Sequence, residues 1–219
     1  MSSRFDLWAA LRIAFGETFY MVLISLIISV VIGTLIGYLL YATSSKYLIL
    51  NKSLNSVLGF VINCIRSLPF IILLIVLLPL SKIIVGTQVG ASAVIVPLSI
   101  SSSAFFSRLA ESSFNSVNKG VIEYAISTGA SGRRIFFSIL LPEASSQILS
   151  AVTVCTIALL GSSAMAGTIG GGGVGDLAIR YGYQRYQTDI LIICVVLLII
   201  IVQGIQFLGD YVSRRANKS

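Results

Sequence analysis

The sequence predicts an all-α membrane protein of about five transmembrane helices, its N-terminus outside, its C-terminus cytoplasmic, and a cytoplasmic helical loop between spans three and four. Three observations lead there. Of 219 residues, 56% are hydrophobic and 11% charged, against roughly 25% charged in soluble domains, and the mean hydropathy is +0.97. The apolar residues gather into five runs, each long enough for the ~20 residues that a bilayer crossing requires. The cations between the runs are distributed unevenly, and Lys and Arg bias orients membrane helices.

The runs lie at 19–42, 57–80, 88–107, 144–166 and 190–209. The first is too long for a signal-peptide core and lacks a small-residue cleavage site, so it reads as a retained span. Within it Gly33 and Gly37 form a GxxxG pair, suited to close helix packing, either inside one subunit or between two. The second run contains Arg66, which either snorkels to the interface or shifts the start of the span to near Ser67. Pro69, Pro79 and Pro97 imply bends or breaks in spans two and three. The first, third, fourth and fifth runs contain no Asp, Glu, Lys or Arg.

Five spans put the termini on opposite faces. With the N-terminus outside, Arg4, Arg12, Lys82, Arg180 and Arg185 are external and the other ten of the 15 cations are internal. The reverse topology inverts that ratio and loses. The net charge of +7 follows from the same bias and implies no nucleic-acid partner. With no histidine in the chain, the commonest metal ligand and general base are missing. Cys64, Cys155 and Cys194 sit in apolar runs and read as small hydrophobes, not a metal or disulfide set. No nucleophile–base pair or G-x-x-x-x-G-K-[ST] phosphate loop is found, so no catalytic residue, metal or cofactor is expected and the chain is not an enzyme. No carboxylate falls mid-membrane, which argues against a proton-coupled carrier and for energy supplied from elsewhere.

The loop 108–143 is the one long polar connection. Asn118 is placed to cap a short helix starting near Lys119 or Gly120. Val121, Ile122, Ala125 and Ile126 give that helix an apolar stripe, and Gly129 stands where a left-handed C-terminal stop is wanted. Ser131 then caps a second helix carrying Ile135, Phe136, Ile139 and Leu140, which Pro142 ends or kinks. Such a pair either docks in a partner's groove or coats the bundle end. Farther on, the four glycines at 170–173 cannot form a comfortable helix interior and are expected to end span four in an external loop. Ser162, Ser163 and Met165, just before them, are candidates to line or gate a path; ordinary bundle core is the alternative for Met165.

Glu123, Ala125, Gly129, Ile139, Leu141 and Pro142 match the signature E-A-A-x3-G-x9-I-x-L-P at intact spacing, with Tyr124 replacing the usual second residue. The loop therefore resembles the EAA loop of ABC importer permeases. The segments 66–80, 84–98, 161–186 and 205–214 extend the likeness over nearly the whole chain, to the permease subunits of bacterial methionine importers. That resemblance implies one permease domain over 1–219 in the inner membrane, carrying methionine of both hands, with 108–143 as the loop that couples it to an ATPase. It implies a second copy of the chain, two ATP-binding ABC subunits that perform the hydrolysis, a substrate-binding lipoprotein and membrane lipid as partners. Glu123 would anchor the partner and Gly129 would set the angle between the loop helices. Arg133 and Arg134 would reach partner carboxylates or lie at lipid headgroups.

Overall fold

The computed structural model describes residues 7–45 and 48–216, and all regular structure among them is helical. The order is α1 (Leu7–Ser44), α2 (Lys52–Ser67), α3 (Phe70–Val85), α4 (Ala91–Asn115), α5 (Lys119–Ser127), α6 (Gly132–Ile135), α7 (Leu141–Glu143), α8 (Ser145–Ala166), α9 (Gly173–Leu177) and α10 (Thr188–Ala216). A π turn, Phe136–Leu140, joins α6 to α7. Helices α1, α4 and α10, and α8 with the turn that follows it, are each long and apolar enough to cross a membrane; α2 and α3 count as a fifth span only when taken together across a sharp bend.

Two boundaries depart from those expected. Helix α1 is already formed at Leu7, twelve residues before the apolar run, because hydropathy marks lipid exposure and not where backbone hydrogen bonding begins. The expected span 57–80 is two helices. Pro69 disfavours helical backbone in the residue before it, and Leu68 accordingly takes an extended conformation (φ −81°, ψ 132°). Arg66 lies in the last turn of α2, next to the break. Pro79 and Pro97, in contrast, lie inside α3 and α4 without ending them. Helix α3, at 16 residues, is ~24 Å long, short for a ~30 Å hydrocarbon core.

The chain divides into two compact units. The first contains residues 7–27, 69–100 and 156–205. Its core includes Leu11, Ala14, Val174, Leu177, Ala178, Ile190 and Cys194. The Ser25 hydroxyl donates to the Ile95 carbonyl at 3.4 Å.

The second unit contains residues 28–68, 101–155 and 206–216. Its core includes Leu40, Ile62 and Ala104. Here the GxxxG pair packs inside the subunit: a Cβ at Gly33 would lie 2.9 Å from Phe106, and one at Gly37 2.7 Å from Ala110. Arg108 on α4 bonds to Glu111 at 2.8 Å and reaches α2 through the Gly59 carbonyl and Asn63 at 3.2 and 3.1 Å. At the other side Ser150 and Ser213 share a 2.8 Å hydroxyl contact, and Ser213 also donates to the Ser146 carbonyl. Those bonds tie the start of α8 to the end of α10.

Candidate functional site

The loop in the second unit folds as a helical hairpin. Asn118 accepts from the Gly120 N–H at 2.9 Å and opens α5. Its end is a Schellman motif: Gly129 N–H donates to the Ile126 carbonyl at 2.9 Å and Ala130 N–H to the Ala125 carbonyl at 3.0 Å. That closure needs a left-handed residue, and Gly129 has φ +80°. Ser131 accepts from the Arg134 N–H at 3.4 Å and starts α6. The following π turn ends at Leu140, two residues before Pro142, whose ring would meet the carbonyl of Ser138 in a regular α-helix. The proline therefore does not end the helix; the break comes at Ala144, before α8.

The expected apolar stripe of α5 is split. Ile122 and Ala125 are buried, whereas Val121 is 41% exposed. Beside Val121 on the outer side stand Glu123, exposed, and Tyr124, 72% exposed. Among the signature residues Ala125 is buried, Ile139 and Leu141 are half-buried, and Glu123, Gly129 and Pro142 are exposed. Half of the signature thus builds the hairpin and half presents a surface. Arg133 lies over the Phe137 ring at 6.0 Å. The hairpin is seated on rings that sequence reasoning did not single out: Tyr38 lies 4.3 Å from Phe136, and Phe114 lies 6.0 Å from Phe136. No sequence signal marks Tyr38 or Phe114, because an aromatic in an apolar helix resembles any other apolar residue.

Ser162, Ser163 and Met165 are not brought together. Ser163 is buried and donates to the Leu160 carbonyl of its own helix at 2.8 Å. Ser162 is half-buried, and Met165 is 53% exposed.

The glycine segment follows the end of α8 and is built as a tight reversal. After a 3-10 turn at Gly167–Ile169 the chain reverses through Gly170 (φ +79°) and Gly172 (φ +76°) and continues within the first unit as α9, which is buried along its whole length. Positive φ calls for glycine at 170, 172 and 173, whereas at Gly175 backbone meets backbone: a Cβ there would collide with the main chain of Ala164. Two side chains of α1 hold the reversal. Glu17 accepts from the Gly173 N–H at 2.7 Å, and the Thr18 hydroxyl from the Val174 N–H at 2.9 Å. Asp176 pairs with Arg180 one turn on, the i, i+4 spacing that would have marked this segment as helical. A charged hydrogen bond contributes ~1.5–3 kcal/mol. Glu17→Ala is therefore expected to lower the thermal midpoint of the detergent-solubilised protein by roughly 4–8 °C; an unchanged midpoint would mean that the reversal holds without its carboxylate.

Comparison with known proteins agrees with this architecture. The family described as binding-protein-dependent transport system inner membrane component matches residues 29–218. The probable D-methionine transport system permease protein MetI of Vibrio cholerae is 44% identical over 201 residues, 92% of this chain and 89% of that protein. The methionine import system permease protein MetP of Bacillus subtilis is 45% identical over 213 residues, 97% and 94% of the two chains. A solved structure of the MetNI methionine ABC transporter in inward-facing form superposes with a TM-score of 0.94 at 37% identity, covering 99% of each chain. With the family matched over most of its length and the fold shared from end to end, this chain belongs to the binding-protein-dependent transport system inner membrane components, as a multi-pass permease subunit.

Proposed function

We propose that this chain is the permease subunit of an ATP-driven importer of methionine, two copies pairing to form one path and residues 1–219 acting as a single domain. The observation that carries this reading is the hairpin at 119–143, with its signature residues divided between a buried seat and an exposed face. The names of the relatives support methionine as cargo, with the D form in several of them. Two ATP-binding subunits would take the exposed face into their grooves and hydrolyse the ATP, and a substrate-binding lipoprotein would dock on the opposite side of the membrane. Glu123 would anchor the docked partner, Ala125, Ile139 and Leu141 would hold the hairpin's shape, and Gly129 and Pro142 would set its turns. Ser162, Ser163 and Met165 remain the candidates to line or gate the path.

We further infer that the N-terminus is external and the C-terminus cytoplasmic, with 108–143 as the cytoplasmic coupling loop. The division into units supports this. Arg12, Lys82, Arg180 and Arg185, assigned outside by the charge rule, all fall in the first unit. Lys52, Arg66, Arg108, Lys119, Arg133, Arg134, Arg214 and Arg215, assigned inside, all fall in the second. Arg4, Lys46 and Lys218 lie outside the described residues.

The test is uptake of labelled methionine by the reconstituted complex, with other amino acids as competitors. Uptake that requires ATP and yields only to unlabelled methionine, in its L or D form, is expected. Methionine transport without the ATP-binding subunits would refute the importer reading, and preferential competition by an unrelated amino acid would replace the cargo.

A further inference from the structure

Force entering the hairpin reaches α4 and α8 through the chain itself, because three residues separate α4 from α5 and one separates α7 from α8. Helix α1 has no such link. Along the chain, α2, α3 and α4 stand between it and the hairpin. Helix α1 packs on α4 at Gly33 and Gly37, and it meets the hairpin directly through Tyr38, near its C-terminal end. Its ring lies 4.3 Å from that of Phe136, tilted by 44°, and 6.4 Å edge-on from that of Phe114 on α4. Its hydroxyl donates to the Gly132 carbonyl at 3.2 Å, at the first residue of α6. Phe114 and Phe136 are buried, so neither can swing away without opening the unit. A Cβ at Gly132 would lie 3.7 Å from the Tyr38 oxygen, which places the tyrosine in van der Waals range of the hairpin backbone. Close-packed rings resist compression and transmit displacement instead of absorbing it.

We infer that Tyr38 is the positioning residue through which α1 follows the hairpin during transport. This rests on the coupling role proposed for the hairpin. Its ring and hydroxyl contacts are with Phe114, Phe136 and Gly132, not with the exposed Val121, Glu123 and Tyr124, so it acts on the yield of transport per ATP and not on docking or hydrolysis. The phenol ring carries the effect through its contact with Phe136; the hydroxyl bond, at an exposed edge, is secondary.

The experiment uses the full complex, with permease, ATP-binding subunits and binding protein in liposomes, and reads both methionine uptake and ATP hydrolysed. Tyr38→Ala is expected to assemble and hydrolyse ATP at about the wild-type rate while uptake per ATP falls about tenfold, within the usual range of coupling between sites. Tyr38→Phe, which keeps the ring, is expected to restore most of that ratio. A wild-type ratio in Tyr38→Ala would overturn the inference. So would failure of that variant to assemble, or hydrolysis falling in step with uptake, since either outcome makes the contact a folding or docking feature. Failure of the docking reading itself shows elsewhere, as wild-type uptake in Gly129→Val, whatever Tyr38→Ala does.

Discussion

Gly175→Val is expected to abolish the folded subunit. At this position α9 runs so close to α8 that an added Cβ would meet the Cα, carbonyl carbon and oxygen of Ala164. A side chain in the way can rotate; backbone cannot, and separating the two helices would open a buried segment that includes Val174 and Leu177. Overpacking costs of ~1–3 kcal/mol are measured where neighbours can adjust, and this position lies at or above the upper end. It also strains the reversal that Glu17 and Thr18 hold. Against a net stability of ~5–15 kcal/mol, accumulation in the membrane and the detergent-stable fraction should both collapse. Gly204 is the control: a Cβ there meets nothing within 4 Å, and Gly204→Ala should leave the protein intact or slightly more stable, since alanine gains ~1 kcal/mol over glycine in a helix. A monodisperse, thermally normal Gly175→Val protein would mean that α8 and α9 are not in backbone contact.

Gly129→Val is expected to leave the subunit inserted and folded but to cut ATP-driven uptake at least ~tenfold. Its physics is the reverse of the first case. No atom lies within 4 Å of a Cβ at Gly129, but φ is +80°, where a β-branched residue is an outlier costing ~1–3 kcal/mol. Relief comes from abandoning the left-handed turn, and with it the bonds from Gly129 and Ala130 back to Ile126 and Ala125. The angle between α5 and α6 then changes, and the exposed face carrying Val121, Glu123 and Tyr124 is presented wrongly to its groove. Asparagine tolerates left-handed backbone, so Gly129→Asn should retain most of the uptake. That contrast separates a conformational requirement from a need for open space. Normal uptake by the valine variant would refute the docking role of the hairpin.

What could be read without coordinates were features set by composition or by neighbours along the chain. Membrane residence followed from apolar runs, which lipid selects whatever the helices do with one another. The hairpin was legible residue by residue, since Asn118, Gly129 and Ser131 act on backbone groups no more than five residues away. Pro69 announced the break in span two by the same local logic. Tertiary structure decided what depends on residues far apart in sequence. Glu17 meets the glycine reversal 156 positions on, and nothing in a lone carboxylate ahead of an apolar run names that partner. The glycines at 170–173 read locally as the end of span four, because a local reading knows only that glycine weakens helices; that Gly167, Gly171 and Gly175 let main chains touch appears once the segment has folded back. GxxxG left open whether one subunit or two would use it, and Phe106 with Ala110 resolved it within the chain. Tyr38 likewise carries no mark of its place at the hairpin, because the hydrophobic effect that buries a ring is non-directional and only packing chooses its neighbours.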